Sequence, residues 1–168
     1  MMSVVSLDEA SGRVADWRRS GKRVVFTNGV YDILHPGHVR YLERARAEGD
    51  VLIVGVNSDR SVRANKGPAR PINPEGERAE MIAALAVVDL AVVFDEDTPY
   101  AIINRLLPDV LVKGADWAAD QIVGRDVVEA HGGHVVRAQV EEGYSTSAIV
   151  DRVRALKGGS GREPAPRS

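Results

Sequence analysis

The stretch VLIVGVN, residues 51–57, is an unbroken run of apolar and small residues that ends in a single asparagine. Such a run is typical of a strand buried on both faces, as occurs in parallel sheets covered by helices on each side. Similar short segments recur along the chain between helical ones, and they predict further strands at 22–29, 90–94, 110–113 and 135–140. Because parallel neighbours need crossover connections, this alternation predicts an α/β fold: a Rossmann-like doubly wound sheet of about five parallel strands with helices on both faces.

The segments between the predicted strands have helical spacing or residues that begin helices, such as Pro36. They predict helices at 7–20, 36–48, 73–87, 99–107, 124–130 and 145–156. Residues 60–73 are polar and punctuated by Gly and Pro, and they are predicted to form a mobile basic loop of the kind that acts as a lid. We expect an N-terminal helix over 1–21, one α/β domain over 22–156 and a disordered tail over 157–168.

The composition limits the classes of protein to which this chain can belong. It has 168 residues, 44% of them hydrophobic and 27% charged, which is typical of a globular chain and not of a disordered, fibrous or membrane-embedded one. The formal net charge of -2 indicates neither a nucleic-acid nor a membrane partner. There are no cysteines, which excludes a disulfide scaffold, a thiolate zinc site and a cysteine nucleophile. With acidic residues near the N-terminus and no apolar run of about 20 residues, we expect a cytoplasmic protein.

The segment FTNGVYDILHPGH, residues 26–38, has two histidines three residues apart where a helix is predicted to begin. Gly29 allows a phosphate to approach the backbone, and the helix start offers unpaired N–H groups and a partial positive charge. With His35 and His38 as two further donors, the segment predicts a polyphosphate site. The alternatives are a capping histidine beside a half-exposed one, and a zinc pair. No third Cys, His or acidic ligand stands at metal spacing, and no metal site is predicted.

Three other segments place polar residues near the carboxyl ends of the predicted strands, where such sheets bind ligands. Lys66 lies in the basic loop, and it either reaches phosphates or is solvated. Lys113, Gly114 and Asp116 follow a predicted strand, and Asp116 either accepts from a sugar hydroxyl or caps the loop. Ser145-Thr146-Ser147 opens the last predicted helix, which it can cap and whose start can also bind phosphate oxygens.

A second pair of histidines, His131 and His134, has the same spacing but lies where a helix is predicted to end and a strand to begin. The two glycines between them indicate a helix stop and a turn, so this pair is predicted to be structural. The chain also lacks a Gly-x4-Gly-Lys-Ser/Thr loop and a Gly-x-Gly-x-x-Gly motif, which argues against a kinase-type NTPase or a nicotinamide dehydrogenase.

The segment NGVYDILHPGH, residues 28–38, resembles the His-x-Gly-His signature of the nucleotidyltransferase superfamily, which includes cytidylyltransferases and adenylyltransferases. Further segments are similar, in the same order, to those of the bacterial heptose 1-phosphate adenylyltransferases: GDVLIVGVNSD at 49–59, VDLAVVF at 88–94, DTPY at 97–100, PDVLVKGADW at 108–117 and STS at 145–147. The resemblance extends over roughly residues 22–155.

The resemblance implies an enzyme in which a sugar 1-phosphate oxygen attacks the α-phosphorus of ATP, pyrophosphate leaves, and Mg²⁺ accompanies the triphosphate. It assigns catalysis to His35, His38 and Lys66. It assigns nucleotide binding to Asn28, Gly29, Val30, Tyr31, Lys113, Gly114, Asp116, Ser145, Thr146 and Ser147, and substrate binding to Asp32, Arg63, Arg70 and Arg78. The family often has Cys-Phe or Thr-Phe at 30–31, so this chain must use a backbone N–H where relatives offer a Thr hydroxyl.

The resemblance also implies partners: ATP and a sugar 1-phosphate as substrates, a second copy of the chain in a homodimer, and a separate sugar kinase that makes the acceptor. No nucleic acid and no membrane are among them. Two other interpretations stay open. One is a cytidylyltransferase or guanylyltransferase acting on glycerol 3-phosphate or another sugar phosphate. The other is a non-catalytic nucleotide-binding module on the same fold.

Overall fold

The computed structural model describes residues 3–141 and 143–158, and within these the side chains of 119, 157 and 158 are left aside. Its sheet consists of β1 (Val24–Gly29), β2 (Val51–Asn57), β3 (Leu90–Phe94), β4 (Val110–Gly114) and β5 (His134–Ala138). The strands lie in the order β3-β2-β1-β4-β5, and every neighbouring pair is parallel. The predicted doubly wound parallel sheet is confirmed. The predicted disordered tail lies outside the described residues from 159 onward.

Helices precede the first strand, separate successive strands and follow the last strand. They are α1 (Leu7–Arg19), α2 (Pro36–Ala47), α3 (Asp59–Lys66), α4 (Glu75–Ala83), α5 (Tyr100–Leu106), α6 (Arg125–Ala130) and α7 (Thr146–Gly158), with a short 3-10 helix at Ala119–Gln121. Among the described residues, none of these helices has the length and apolar character needed to span a membrane.

The prediction of a mobile loop over 60–73 is wrong for its first half, which forms α3. Ser58 begins this helix, because its hydroxyl accepts a hydrogen bond from the Ser61 N–H at 3.0 Å. Gly67, with φ +89, ends it. The helix is polar on most of its surface and buries only Ser61 and Val62, so the hydrophobic pattern that reveals other helices is absent from it.

The prediction that the helix at 73–87 reaches Val87 is also wrong, since the corresponding helix, α4, ends at Ala83. The next residues form turns, in which the Leu85 N–H donates to the Ile82 carbonyl at 3.1 Å. Leu85 and Val87 pack against the hydrophobic core from these turns. Their apolar character therefore reflects burial and not a continued helix.

Two hydrophobic clusters cover the two faces of the sheet. The first includes Phe26 and Ile53 and packs against α1, α5 and α6, while the second includes Val25 and Leu52 and packs against α2 and α4. Successive strand residues point to opposite faces, which explains why neighbours such as Val25 and Phe26 belong to different clusters. Burial on both faces is also why the strands read as continuous apolar runs.

Candidate active site

Residues at the carboxyl ends of β1 and β4 line a cleft of about 820 Å³. These strands are neighbours, and the strand order reverses between them, which is where doubly wound sheets bind ligands. The volume is in the range typical of small-molecule sites. All residues that the sequence interpretation assigns to the site line this cleft, apart from Arg63 and Arg78.

The histidine pair lies at the start of α2. His35 is the residue before the first helical turn, with extended backbone at φ -146, and His38 lies within that turn. Their rings stack with centroids 3.7 Å apart and planes 17° apart. The Nδ1 atoms of both rings are buried and have no hydrogen-bond partner among the described residues. Neither Nδ1 atom is thus committed to a partner within the described protein.

The surroundings of both imidazoles favour the neutral form. Burial, the neighbouring His35 and the Lys66 ammonium lower the pKa of His38 to about 4, and burial lowers the pKa of His35 as well. Two stacked imidazolium ions would repel each other at this distance. The pair therefore faces the cleft as two neutral rings, each able to donate one hydrogen bond.

Tyr31 packs against the histidine pair. It is buried and adopts the left-handed backbone conformation at φ 49, which costs a residue of this kind about 1 kcal/mol. Its ring meets the His38 ring edge-on, with centroids 5.3 Å apart. A Cβ on Gly29 would lie 2.9 Å from the Tyr31 Cζ atom. Gly29 is thus needed to admit the tyrosine ring, in addition to the predicted approach of a phosphate.

Lys113 brings a partly buried cation to the end of β4. Its ammonium donates a short hydrogen bond to the Asn28 side-chain oxygen at the end of β1. Burial lowers its pKa to about 8. Beside it, the Tyr41 hydroxyl lies 2.9 Å from the Thr27 hydroxyl and donates to the Val112 carbonyl at 3.3 Å, and burial raises the pKa of Tyr41 to about 12.

A second group of cations lines the cleft from the segment that follows β2. Lys66 is exposed at the last position of α3. Arg70 donates to the buried Asp32 carboxylate at 2.5 Å, and the same carboxylate accepts from the N–H groups of Ile72 and Asn73 at 2.8 and 2.9 Å. Asp32 therefore fixes the loop that presents Arg70. Its carboxylate is already occupied by protein donors.

Two predicted substrate-binding residues need correction. Arg78 is completely buried, and its guanidinium donates to the carbonyls of Asn73, Val30 and Asn57 at 2.9, 2.6 and 2.7 Å and to the Asp59 carboxylate at 2.8 Å. These bonds tie the segments after β1 and β2 together and leave Arg78 unable to reach a substrate. Arg63 is exposed on α3 and is not among the residues that line the cleft.

The family of the chain follows from a direct match. A model of the cytidylyltransferase-like family matches residues 26–152. The chain belongs to this family. The match covers the histidine pair, the cleft strands and the start of α7.

Curated relatives of this cytidylyltransferase-like chain include proteins named Bifunctional protein HldE. The one from Gluconobacter oxydans is 52% identical over 148 residues, which cover 88% of this chain and 31% of that protein. The one from Rhodospirillum rubrum is 52% identical over 159 residues, which cover 95% of this chain and 32% of that protein. The chain spans about a third of the length of the curated relatives it matches.

Two solved structures share the architecture. The lipopolysaccharide core biosynthesis protein from Thermoplasma volcanium is 32% identical with a TM-score of 0.60, covering 74% of this chain and 100% of that one. A pantoate-beta-alanine ligase from Francisella tularensis, complexed with beta-gamma ATP and beta-alanine, has a TM-score of 0.58 at 12% identity, covering 92% of this chain and 78% of that one. The second likeness concerns the fold alone.

Sequence reasoning missed several residues of the cytidylyltransferase-like cleft. Tyr41, Asn65, Asp97 and Tyr144 all line it. Tyr41 stands three residues after His38 on α2, a spacing that places two side chains on one face of a helix and could have revealed it. Tyr144 directly precedes the predicted Ser145-Thr146-Ser147 segment. The positions of Asn65 and Asp97 depend on α3, which the sequence interpretation did not predict.

The second histidine pair has the structural role that the sequence predicts. His131 follows the last residue of α6, Gly132 has φ +88, and His134 begins β5. A Cβ on Gly133 would lie 2.7 Å from the Asp109 carbonyl, so the turn needs glycine there. In this cytidylyltransferase-like fold the pair lies at the amino end of β5, whereas the cleft lies at the carboxyl ends of the strands.

Proposed function

We propose that this protein transfers AMP from ATP to a sugar 1-phosphate, giving an ADP-sugar and pyrophosphate, and that the sugar is a heptose. The observation that carries the proposal is the stacked, neutral His35–His38 pair in the cleft at the start of α2. The HldE-named relatives and the lipopolysaccharide core biosynthesis protein support it, with 52% and 32% identity to this chain.

The proposed reaction is an in-line displacement. An oxygen of the sugar 1-phosphate forms a bond to the α-phosphorus of ATP while the bond from that phosphorus to the bridging oxygen of pyrophosphate breaks. His35 and His38 donate to the oxygens of the α-phosphoryl group, where charge rearranges in the transition state. Neutral imidazoles suit this role because they remain donors across the physiological pH range and take no proton from the acceptor.

The cations around the cleft are proposed to hold the leaving and entering phosphates. Lys66 offsets the negative charge that develops on pyrophosphate, and Lys113 lies beside the nucleotide with Asn28, Gly114 and Asp116. The start of α7, with Ser145, Thr146 and Ser147, offers hydroxyl and N–H donors to the β- and γ-phosphates. The Ser145 hydroxyl also caps this helix by accepting from the Ala148 N–H at 3.0 Å.

The acceptor is proposed to bind on the side of the cleft formed by Arg70. A guanidinium can hold a sugar phosphate with two parallel hydrogen bonds, and Asp32 fixes Arg70 in place at 2.5 Å. Asp32 is thus proposed to act through Arg70. Val30 and Tyr31 also line the cleft and are proposed to bind the nucleotide.

Mg²⁺ is proposed to enter as part of the nucleotide substrate, bound by triphosphate oxygens whose charge it screens. Among the described residues no cluster of three or more His, Asp or Glu could hold a metal ion, so the triphosphate itself would supply most of the ligands of Mg²⁺. We further propose a cytoplasmic location and a homodimer. We also propose an upstream sugar kinase, because a kinase-class reaction can place a phosphate on the anomeric oxygen of the acceptor.

A second candidate function is the same in-line displacement with a different nucleotide as the substrate. The matched family is described as cytidylyltransferase-like, which favours CTP as the alternative nucleotide. The acceptor would then be glycerol 3-phosphate or another sugar phosphate.

The test is pyrophosphate release in the presence of Mg²⁺, with ATP, CTP and GTP each combined with heptose 1-phosphate, other sugar 1-phosphates and glycerol 3-phosphate. We expect release with ATP and heptose 1-phosphate. Release with CTP and an alcohol phosphate would establish the second candidate. Nucleotide binding without release in any combination would contradict both.

A further inference from the structure

Tyr144 extends the histidine stack by one more ring. Its ring lies 6.2 Å from the His35 ring, centroid to centroid, with the planes 21° apart. The Arg40 guanidinium lies over the Tyr144 ring, 5.5 Å from its centroid. His38, His35, Tyr144 and Arg40 therefore form one continuous stack along the cleft, within the distances at which aromatic and cation–π contacts are favourable.

The segment that carries Tyr144 is anchored to α2, the same helix that begins at the histidine pair. Glu141 accepts from Arg40 at 3.2 Å and forms a short ion pair with Arg44. Arg44 also donates to the Gln139 carbonyl at 2.6 Å. Arg40 and Arg44 stand one helical turn apart, so both reach across to the chain that leaves β5. This anchor holds Gln139 and Glu141 beside α2, a few residues before Tyr144.

Gly37 provides the space for this contact. A Cβ at position 37 would lie 3.0 Å from the Tyr144 Cβ and 3.0 Å from the His35 Nδ1 atom. Both distances are shorter than ordinary van der Waals contact. The glycine between the two histidines thus admits the tyrosine and the first imidazole together, which the sequence alone did not indicate.

We propose that Tyr144 is a positioning residue of the nucleotidyl-transfer site. Its ring holds the His35 imidazole in the orientation that stacks on His38, and it links this pair to the phosphate-binding start of α7. Tyr144 directly precedes Ser145, so the position of the stack and the position of the α7 start are set by the same short segment. Loss of the ring frees His35 to rotate and admits water to it.

The kinetic arm of the test rests on the proposed function. In Tyr144→Leu, which keeps apolar volume but removes the ring, we expect kcat to fall about tenfold with KM for ATP changed by less than about threefold, because misplaced donors affect the transition state more than the ground state. Tyr144→Phe keeps the ring and is expected to restore kcat. Tyr100→Leu removes a similarly exposed tyrosine, 43% against 39%, from outside the cleft and is the control.

The second arm needs no activity. The imidazoles of the four histidines are followed by NMR against pH in the wild type and the variants. The groups that face His35 are the His38 imidazole, itself beside the Lys66 ammonium, and the Tyr144 ring with Arg40 and Glu141 behind it. Because burial lowers the pKa of His35, Tyr144→Leu is expected to raise this pKa towards its ordinary value of 6.5, whereas Tyr144→Phe and Tyr100→Leu leave it unchanged.

Three results would overturn the proposal. One is a folded Tyr144→Leu protein with the wild-type titration of His35. Another is a rise in KM alone, which would make Tyr144 a substrate contact. The third is an equal loss in Tyr144→Phe, which would assign the effect to the hydroxyl. If the wild type releases no pyrophosphate with any substrate pair, the proposed function fails while the titration still decides the role of Tyr144.

Discussion

Replacing Lys113 with methionine is expected to stabilise the folded protein and to weaken nucleotide binding. Burial lowers the pKa of this lysine from 10.5 to about 8, so the folded protein holds the charged form less favourably than the unfolded chain does. A pKa shift of this size lowers the free energy of unfolding by up to about 3 kcal/mol at pH values where the lysine is charged in both the folded and the unfolded protein. Methionine has a similar length and no charge, and it removes this cost.

The sign of the pH dependence follows from the direction of the pKa. The destabilisation is fully present below pH 8, falls as the pH rises from about 8 to 10.5, and is absent above that range, where the lysine is neutral in both states. The stability advantage of Lys113→Met over the wild type is therefore expected to be largest at pH 7 and to shrink by pH 10.

Nucleotide binding is expected to change in the opposite direction. With a pKa of about 8, about nine-tenths of Lys113 is charged at pH 7 and about one-tenth at pH 9. If binding of the triphosphate uses the charged form, its Kd rises about tenfold between these pH values in the wild type. In Lys113→Met the Kd is weaker at pH 7 and loses this pH dependence.

Urea unfolding measures the first effect and calorimetric titration with a non-hydrolysable ATP analogue measures the second, each at several pH values. Lys22→Met removes an exposed lysine from the start of the chain leading into β1 and is the control, with neither effect expected. A Lys113→Met protein that is less stable than the wild type at pH 7, or that binds the analogue equally well, would refute the reasoning.

Two further substitutions test the assignments around Lys113. Lys66→Ala is expected to lower kcat at least about tenfold at saturating substrates, because it removes a cation beside the leaving pyrophosphate. The control, Arg63→Ala, removes a cation of the same helix from outside the cleft and is expected to keep the wild-type rate. Equal rates for the two variants in a steady-state assay would mean that Lys66 is only a solvated surface residue. Arg78→Met is expected to lower the free energy of unfolding by about 3 kcal/mol or more, since it leaves the Asp59 carboxylate and three carbonyls without their donor. A urea midpoint within error of the wild-type value would contradict this account of Arg78.

Much of the fold could be predicted from the sequence because its strands are buried on both faces. The run at 51–57 coincides with β2, and the run at 90–94 coincides with β3. Such strands appear as unbroken apolar segments whatever the details of packing. α3 could not be found in this way, since it buries too little to show a hydrophobic stripe, and only Ser58 and Gly67 at its ends indicate it.

The position of the site was predictable where local sequence and position on the sheet coincide, as for His35 and His38 at the start of the crossover from β1 to β2. It was not predictable where a role depends on a distant partner. Arg78 resembles a substrate ligand in the sequence, yet three of its four acceptors, on Val30, Asn57 and Asp59, lie in two distant segments that only folding brings to it. The need for glycine at position 37 was likewise not predictable from the sequence, because the side chain for which it makes room is Tyr144, more than a hundred residues further along the chain.

The most direct test of the account compares His38→Ala with His134→Ala by phosphorus NMR, using ATP, Mg²⁺ and heptose 1-phosphate. Both variants lose one histidine of a His-Gly-containing pair, but only His38 lies in the cleft. The wild type and His134→Ala are expected to convert the substrates to pyrophosphate and a nucleoside diphosphate sugar at similar rates. Folded His38→Ala is expected to react more than about tenfold more slowly, since one such hydrogen-bond donor commonly raises the rate about 100-fold. A folded His38→Ala protein that forms the diphosphate sugar at the wild-type rate would contradict the central claim that this histidine pair performs the transfer.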